Sequence, residues 1–103
     1  MPRGALDLLV LRVLRAGPLH GYAIALRIRE LSAGVLEAEE GALYPALQSM
    51  LMEGWVTAKW GVSQTNRKVR FYSLTREGSR QLERELSEYE QVTAAIQSIL
   101  RTA

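Results

Sequence analysis

The sequence predicts a mostly α-helical α+β fold, in which three helices precede a β-hairpin and one long helix follows it. Apolar residues recur at helical spacing up to Gly54, β-branched and aromatic residues replace that spacing over two short segments, and helical spacing returns after Thr75. The chain has 103 residues, of which 48% are hydrophobic, so it is expected to form one compact domain.

The first predicted helix spans Gly4 to Ala16 and ends at Gly17-Pro18, because proline disfavours helical geometry at the residue before it. Its apolar residues divide between two faces. They are Leu6, Val10, Val13 and Leu14 on one face, and Leu8 and Leu11 on the other. We expect one face to pack on the domain core and the other on a second chain.

The second predicted helix spans His20 to Leu31, and Gly34 ends it or lies in the following turn. Its helically spaced apolar residues predict a buried face. They are Tyr22, Ile24, Ile28 and Leu31. We interpret His20 as a capping or packing residue, because it directly precedes this apolar run, and Tyr22 as a core residue.

The third predicted helix ends at Gly54. Because Pro45 lacks a backbone N–H, the regular helix is expected to begin near Gly41 or to bend there. One face is a buried stripe of Leu43, Leu47, Met50 and Leu51, and the other carries Gly41, Ala42, Tyr44, Gln48 and Ser49. The acidic residues that precede the helix favour its positive end and are expected to face away from any bound anion. They are Glu37, Glu39 and Glu40.

Trp55–Trp60 and Val69–Leu74 predict a β-hairpin, and the eight residues 61–68 form its polar tip. We interpret Trp55 and Trp60 as packing the hairpin against the helices. Residues 54–80 carry six basic side chains and one acidic side chain, although the net charge of the chain is only +2. Such a local basic cluster is typical of a phosphate contact.

The last predicted helix is capped by Thr75 and continues to about Leu100. Its apolar residues are spaced by three or four positions, which is typical of helices that pair. They are Leu82, Leu86, Tyr89, Val92, Ile96 and Ile99. A helix of roughly 25 residues is about 38 Å long, which exceeds the body of the domain. We expect it to pair with a second copy; the alternative is that it folds back on its own domain.

The composition excludes several classes of function. The chain has no Cys and one His, which argues against thiol catalysis, a metal site and a bound cofactor. General acid–base work needs paired groups in a cleft, which the pattern does not offer, so we predict a non-enzymatic protein. The longest stretch without a charge is residues 41–52, against roughly 20 residues for a membrane span. A cytoplasmic protein without a membrane partner is therefore expected.

The order of the elements is that of a winged helix-turn-helix followed by a dimerisation helix. We divide the chain into a DNA-binding domain, residues 1–75, and a dimerisation helix, residues 76–103. In this fold the third helix enters the major groove and the hairpin, or wing, contacts the DNA backbone. Gln48 can make paired hydrogen bonds to adenine. The predicted DNA-binding residues are Gly41, Ala42, Tyr44, Pro45, Gln48, Ser49, Asn66, Arg67, Lys68 and Arg70.

Six short motifs occur in order along nearly the whole chain. They are Leu6-Asp7-Leu8-Leu9-Val10-Leu11, His20-Gly21-Tyr22, Glu40-Gly41-Ala42-Leu43-Tyr44-Pro45-Ala46-Leu47, Gly54-Trp55, Arg70-Phe71-Tyr72-Ser73-Leu74-Thr75 and Glu77-Gly78. Their order and spacing resemble the PadR-type transcriptional regulators of the short subfamily, in which one helix follows the wing. The resemblance implies a bacterial dimeric repressor with a pseudo-palindromic operator, whose DNA affinity often falls when a small molecule binds.

Two departures from the family pattern concern the site. Ala42 stands where many relatives have Ser or Thr, and the last helix offers Tyr89 where drug-binding relatives have Trp.

The predicted dimer contacts are Leu8, Leu11, Leu82, Leu86, Tyr89, Val92, Ile96 and Ile99. A small apolar or aromatic effector is predicted to bind among Leu8, Leu11, Leu86, Tyr89 and Ile96. The alternative is that these residues only hold the dimer together. For the whole chain, the alternative function is a winged-helix module that binds proteins and not DNA.

Overall fold

The computed structural model describes residues 3–102, which measure 56 × 29 × 22 Å along the principal axes. Its elements are α1 (Arg3–Leu14), β1 (Leu19–His20), α2 (Gly21–Leu31), α3 (Glu40–Glu53), β2 (Val56–Val62), β3 (Lys68–Leu74) and α4 (Arg76–Leu100). Three helices, a hairpin and a long last helix confirm the predicted fold class.

Helix α1 is the centre of the core, because it contacts α2, α3, β3 and α4. Its apolar residues on both predicted faces are buried in the chain itself, and Leu11 is 0% exposed. The prediction that the second face packs on another chain is therefore wrong for Leu11. A helix surrounded by four elements buries apolar residues around most of its circumference, which explains why they do not form one stripe.

In α2, Ile24 and Ile28 are buried as predicted, whereas Tyr22 is 70% exposed and Leu31 is also exposed. The interpretation of Tyr22 as a core residue is wrong, because each residue turns a helix by about 100° and Tyr22 therefore lies on the side opposite the face that Ile24 and Ile28 bury. His20 caps α2 as predicted: the Ala23 N–H donates to His20 Nδ1 over 3.4 Å.

Helix α3 continues through Pro45 from Glu40 to Glu53, and it ends at Gly54, whose φ of 77° is left-handed. Leu43, Leu47 and Met50 are buried, so three members of the predicted stripe are confirmed, while Leu51 is partly buried.

The hairpin strands are longer than predicted, so that only residues 63–67 connect them. Strand β1, which the sequence analysis missed, adds a third strand in the order β1-β3-β2. It pairs antiparallel with β3 through Leu19 opposite Tyr72 and His20 opposite Phe71. This pairing ties the start of α2 to the base of the wing.

Helix α4 is capped as predicted, because the Gly78 N–H donates to Thr75 Oγ1 over 3.0 Å and the Thr75 hydroxyl donates to the Gly54 carbonyl over 2.6 Å. Its first half packs on the body, where Gly78 and Leu82 are buried and Leu86 is partly buried. The core therefore continues past the boundary that the sequence analysis placed at residue 75.

Candidate nucleic-acid interface

A cleft of about 820 Å³ lies between α3, the start of α2 and the inner face of the wing. Its lining comprises His20, Gly21, Tyr22, Glu40, Tyr44, Gln48, Trp60, Ser63, Thr65, Arg67, Val69, Arg70 and Tyr72. Four of the predicted DNA-binding residues, two from α3 and two from the wing, thus meet in one cleft. They are Tyr44, Gln48, Arg67 and Arg70.

The other predicted residues of α3 lie outside this lining. Gly41, Ala42 and Pro45 are exposed, and Ser49 is partly exposed. A Cβ atom at Gly41 would meet no atom within 4 Å, so the helix surface there is open to a close approach by a ligand. The side of α3 opposite the buried stripe therefore presents small and polar groups, as predicted.

Tyr44 extends from α3 towards the start of α2, where a Cβ at Gly21 would lie only 2.6 Å from the Tyr44 hydroxyl oxygen. Partial burial, with smaller contributions from Glu40 and Tyr72, raises the pKa of the Tyr44 phenol above its ordinary value. The ordinary pKa of a phenol already lies well above neutral pH, and the shift raises it further, so the Tyr44 hydroxyl is protonated and can donate a hydrogen bond.

The wing tip is a tight turn stabilised by Ser63. The Ser63 N–H donates to the Arg67 carbonyl over 2.8 Å, and the Ser63 hydroxyl accepts from the Arg67 N–H over 3.2 Å. Asn66 adopts a left-handed φ of 60°, which asparagine tolerates better than most residues. This geometry leaves the exposed side chains of Asn66, Arg67 and Lys68 at the end of the wing.

The wing carries four basic side chains. Within the described part of the chain, no salt bridge involves Lys59, Arg67, Lys68 or Arg70. The positive charge of the wing is therefore available to an anion such as a phosphate group.

The structure changes two interpretations of the cleft. Glu40 lines it, so the expectation that this carboxylate faces away is wrong, whereas Glu37 pairs with Arg29 over 3.6 Å. Trp60 is 60% exposed, so it does not pack the wing against the helices as Trp55 does. Sequence reasoning missed His20, Tyr22, Trp60 and Tyr72 as cleft residues, because their proximity depends on the pairing of β1 with β3.

A second groove of about 240 Å³ lies between α1 and α4. Of the predicted effector-binding residues, only Leu8 and Tyr89 line it, together with Gly4, Ala5, Glu85, Glu88 and Val92. Leu11 and Leu82 are 0% and 1% exposed, respectively, within the core of the chain. Their predicted role as dimer contacts, and that of Leu11 in effector binding, is wrong because neither side chain reaches the surface.

Partial burial is the main cause that raises the pKa of Glu85 above its ordinary value; Asp7 and Glu88 also raise it, while Gln81 and Arg84 lower it. The groove therefore combines an apolar wall with carboxylates. Tyr89 and Val92 of this groove, and Ile96 and Ile99 beyond it, are exposed along α4.

Among the residues that the structure describes, no helix is long and apolar enough to cross a bilayer. In the same residues, no cluster of three or more His, Cys, Asp or Glu side chains is arranged to hold a metal ion.

The family model of the transcriptional regulator PadR-like family matches residues 10–84, which include α2, α3 and the wing. The chain belongs to this family. Membership confirms the resemblance found in the sequence, and the prediction of a non-enzymatic transcriptional regulator.

Individual relatives agree with this assignment. A solved transcriptional regulator from Clostridium thermocellum is 25% identical, with a TM-score of 0.88 and 96% of each chain covered. Bacillus subtilis PadR, solved in complex with operator DNA, is 29% identical, with a TM-score of 0.70 over 80% of this chain and 46% of that chain. A curated relative, "Negative transcriptional regulator PadR" from Bacillus subtilis (strain 168), is 30% identical over 73 residues. The match covers 71% of this chain and 40% of that relative.

Proposed function

We propose that this PadR-family chain is a homodimeric repressor that binds a pseudo-palindromic operator. The observation that carries the proposal is the cleft in which Tyr44 and Gln48 of α3 lie opposite Arg67 and Arg70 of the wing. The α3 wall offers Gln48 for base edges and the Tyr44 hydroxyl for a phosphate, and the wing offers cations for the phosphate backbone.

In this arrangement the exposed side of α3 enters the major groove. Gln48 reads adenine through paired hydrogen bonds, while Gly41 and Ala42 let the helix approach the bases closely. Tyr44 and Ser49 donate hydrogen bonds to phosphates. The solved complex of Bacillus subtilis PadR with operator DNA supports this use of the shared fold.

The sign of regulation and the oligomeric state are parts of the same proposal. The curated Bacillus subtilis relative is described as a negative regulator, which supports repression. The exposed apolar residues of the second half of α4, Tyr89, Val92, Ile96 and Ile99, support pairing with a second copy. A dimer of this kind places two α3 helices in successive major grooves, about 34 Å apart.

A small effector is proposed to bind in the groove between α1 and α4, which Leu8, Tyr89 and Val92 line. Glu85 and Glu88 border this apolar wall, so a ligand that is apolar and positively charged fits it best. The alternative is that these residues only stabilise the dimer. Loss of operator affinity when such a compound is added to wild type, and an operator affinity that the compound does not change in a Glu88→Gln variant, would support the effector site.

The experiment that tests DNA binding uses duplex DNA from upstream of the gene, titrated at several salt concentrations. Replacing Arg67 and Lys68 together with Ala should weaken binding to all sequences. It should also reduce the slope of log affinity against log salt by about 1.8, at about 0.9 for each phosphate that the variant no longer neutralises.

The matched control replaces Arg12 of α1 and Arg15, which directly follows that helix, with Ala, because these cations lie outside the cleft and the change in net charge is the same. An equal reduction of slope in both variants would contradict a specific wing contact. Absence of any salt-sensitive complex with wild-type protein would favour a winged-helix module that binds proteins.

A further inference from the structure

Trp60 lies on the wing in a position that core packing does not explain. Its side chain is 60% exposed, whereas Trp55 at the base of the hairpin packs against the core. A tryptophan that stays this exposed gains little from burial of apolar surface. Burial of apolar surface therefore does not explain why a tryptophan occupies position 60.

Two cations lie over the indole ring of Trp60. Lys68 Nζ is 5.2 Å from the ring centroid, and Arg70 Cζ is 5.8 Å from it. Arg70 Cζ is also 5.9 Å from the ring centroid of Tyr72. These distances are within the range of cation–π attraction. The guanidinium group is thus held by two aromatic rings and, within residues 3–102, by no salt bridge.

The register of the hairpin explains this grouping. Trp60 lies directly opposite Arg70, and Val62 lies opposite Lys68, so the four residues share one face of the two strands. Tyr72 continues the same face towards the core, where it is buried. This face of the wing lines the cleft, and Trp60, Arg70 and Tyr72 contribute to that lining.

We propose that Trp60 is a positioning residue for DNA binding, whose ring holds Lys68 and Arg70 in place before the duplex arrives. This inference rests on the proposed function. Ordering a long, flexible side chain at an interface weakens association by about two- to ten-fold. A cation already held against an aromatic ring loses less freedom on binding, and a cation–π contact leaves its charge free for a phosphate group.

The test compares Trp60→Ala with wild type, titrating each with random-sequence duplex DNA at several salt concentrations. We expect the affinity of Trp60→Ala to fall by about five- to twenty-fold at fixed salt, because two cations lose their support. The slope of log affinity against log salt should stay unchanged, because both cations still reach phosphates. Arg70→Ala should instead reduce this slope by about 0.9.

Two further variants separate the ring from mere bulk. Trp60→Phe keeps an aromatic face and should bind nearly as wild type, whereas Trp60→Leu keeps apolar volume without that face and should bind as Trp60→Ala. Val62→Ala is the matched control, since Val62 is an exposed apolar residue on the same strand and face. It should leave both affinity and slope unchanged.

Each outcome decides one question. If wild-type protein forms no salt-sensitive complex, the proposed function itself fails. If wild type binds and Trp60→Ala binds equally well or better, only the inference is overturned. The inference is also overturned if Trp60→Ala lowers DNA affinity by the same factor in a Lys68→Ala/Arg70→Ala background as in the wild-type background, because the ring would then act on DNA directly. The Phe and Leu variants keep the comparison valid if the Ala variant does not fold.

Discussion

Gly78 is the residue at which α4 joins the body of the domain. A Cβ atom there would overlap the Trp55 carbonyl oxygen and lie 2.6 Å from Leu74 Cδ1. The carbonyl belongs to the backbone and accepts the Thr75 N–H over 3.0 Å, so it cannot move aside freely. We expect Gly78→Ala to lower the free energy of unfolding by about 2–3 kcal/mol, measured by urea titration.

Gly41→Ala provides the control for this prediction, because a Cβ at Gly41 meets no atom within 4 Å. Alanine is also the better helix former, so this variant should unfold at the same or a slightly higher urea concentration. Equal unfolding midpoints for the two variants would contradict the close approach at Gly78.

Single residues were the least predictable scale from the sequence. The apolar residues of α2 predict one buried face that includes Tyr22 and Ile24, but only Ile24 is buried, because two residues turn a helix by about 200° and the two side chains lie on opposite sides. Leu11 was assigned to a second chain because its position lies off the main apolar stripe of α1. Spacing cannot show that four other elements enclose that helix.

Among the elements, β1 shows how a very short strand affects the site. Leu19 and His20 alone carry no periodic signal, so the strand could not be predicted, although His20 was correctly expected to cap or pack. Pairing with β3 brings the ring centroid of His20 to 5.6 Å from that of Phe71. The cap of α2 and the base of the wing are therefore coupled through one residue.

The cap itself can be tested with two substitutions at His20. Both His20→Ala and His20→Asn remove the ring contacts, but asparagine supplies a side-chain oxygen that accepts the Ala23 N–H. His20→Ala should therefore be less stable than His20→Asn by about 1 kcal/mol in thermal or urea unfolding. Equal stability of the two variants would show that His20 acts through ring packing and not through the cap.

The longer elements were predictable because each has a strong local signal. The predicted ends of the first and third helices rest on Gly17-Pro18 and Gly54, and the predicted start of the last helix rests on Thr75. The structure places each of these three boundaries within two residues of the prediction. The cleft was predictable only in part. The element order identified α3 and the wing, whereas the role of Trp60 depends on its register with Arg70, which composition does not reveal.

At the scale of the whole molecule, α4 gives the chain its elongated shape. The first half of this helix belongs to the core, while Tyr89, Val92 and Ile96 beyond it are at least half exposed. An apolar stripe at this spacing is stable in water when a second helix covers it. Dimerisation and operator binding should therefore fail together when the stripe is interrupted, while the fold of each chain survives.

Ile96→Glu tests this dependence, because Ile96 is 50% exposed in the chain and a buried carboxylate at a helix pair is costly. We expect the variant to sediment as a monomer with unchanged helical content, and to bind upstream DNA at least ten-fold more weakly, because each monomer contacts one half-site. Gln97→Glu adds the same charge to the next exposed residue and should remain dimeric, because one residue along a helix turns the side chain by about 100° away from the stripe. If Ile96→Glu sediments as wild type does, α4 does not form the dimer, and its exposed stripe must serve another partner.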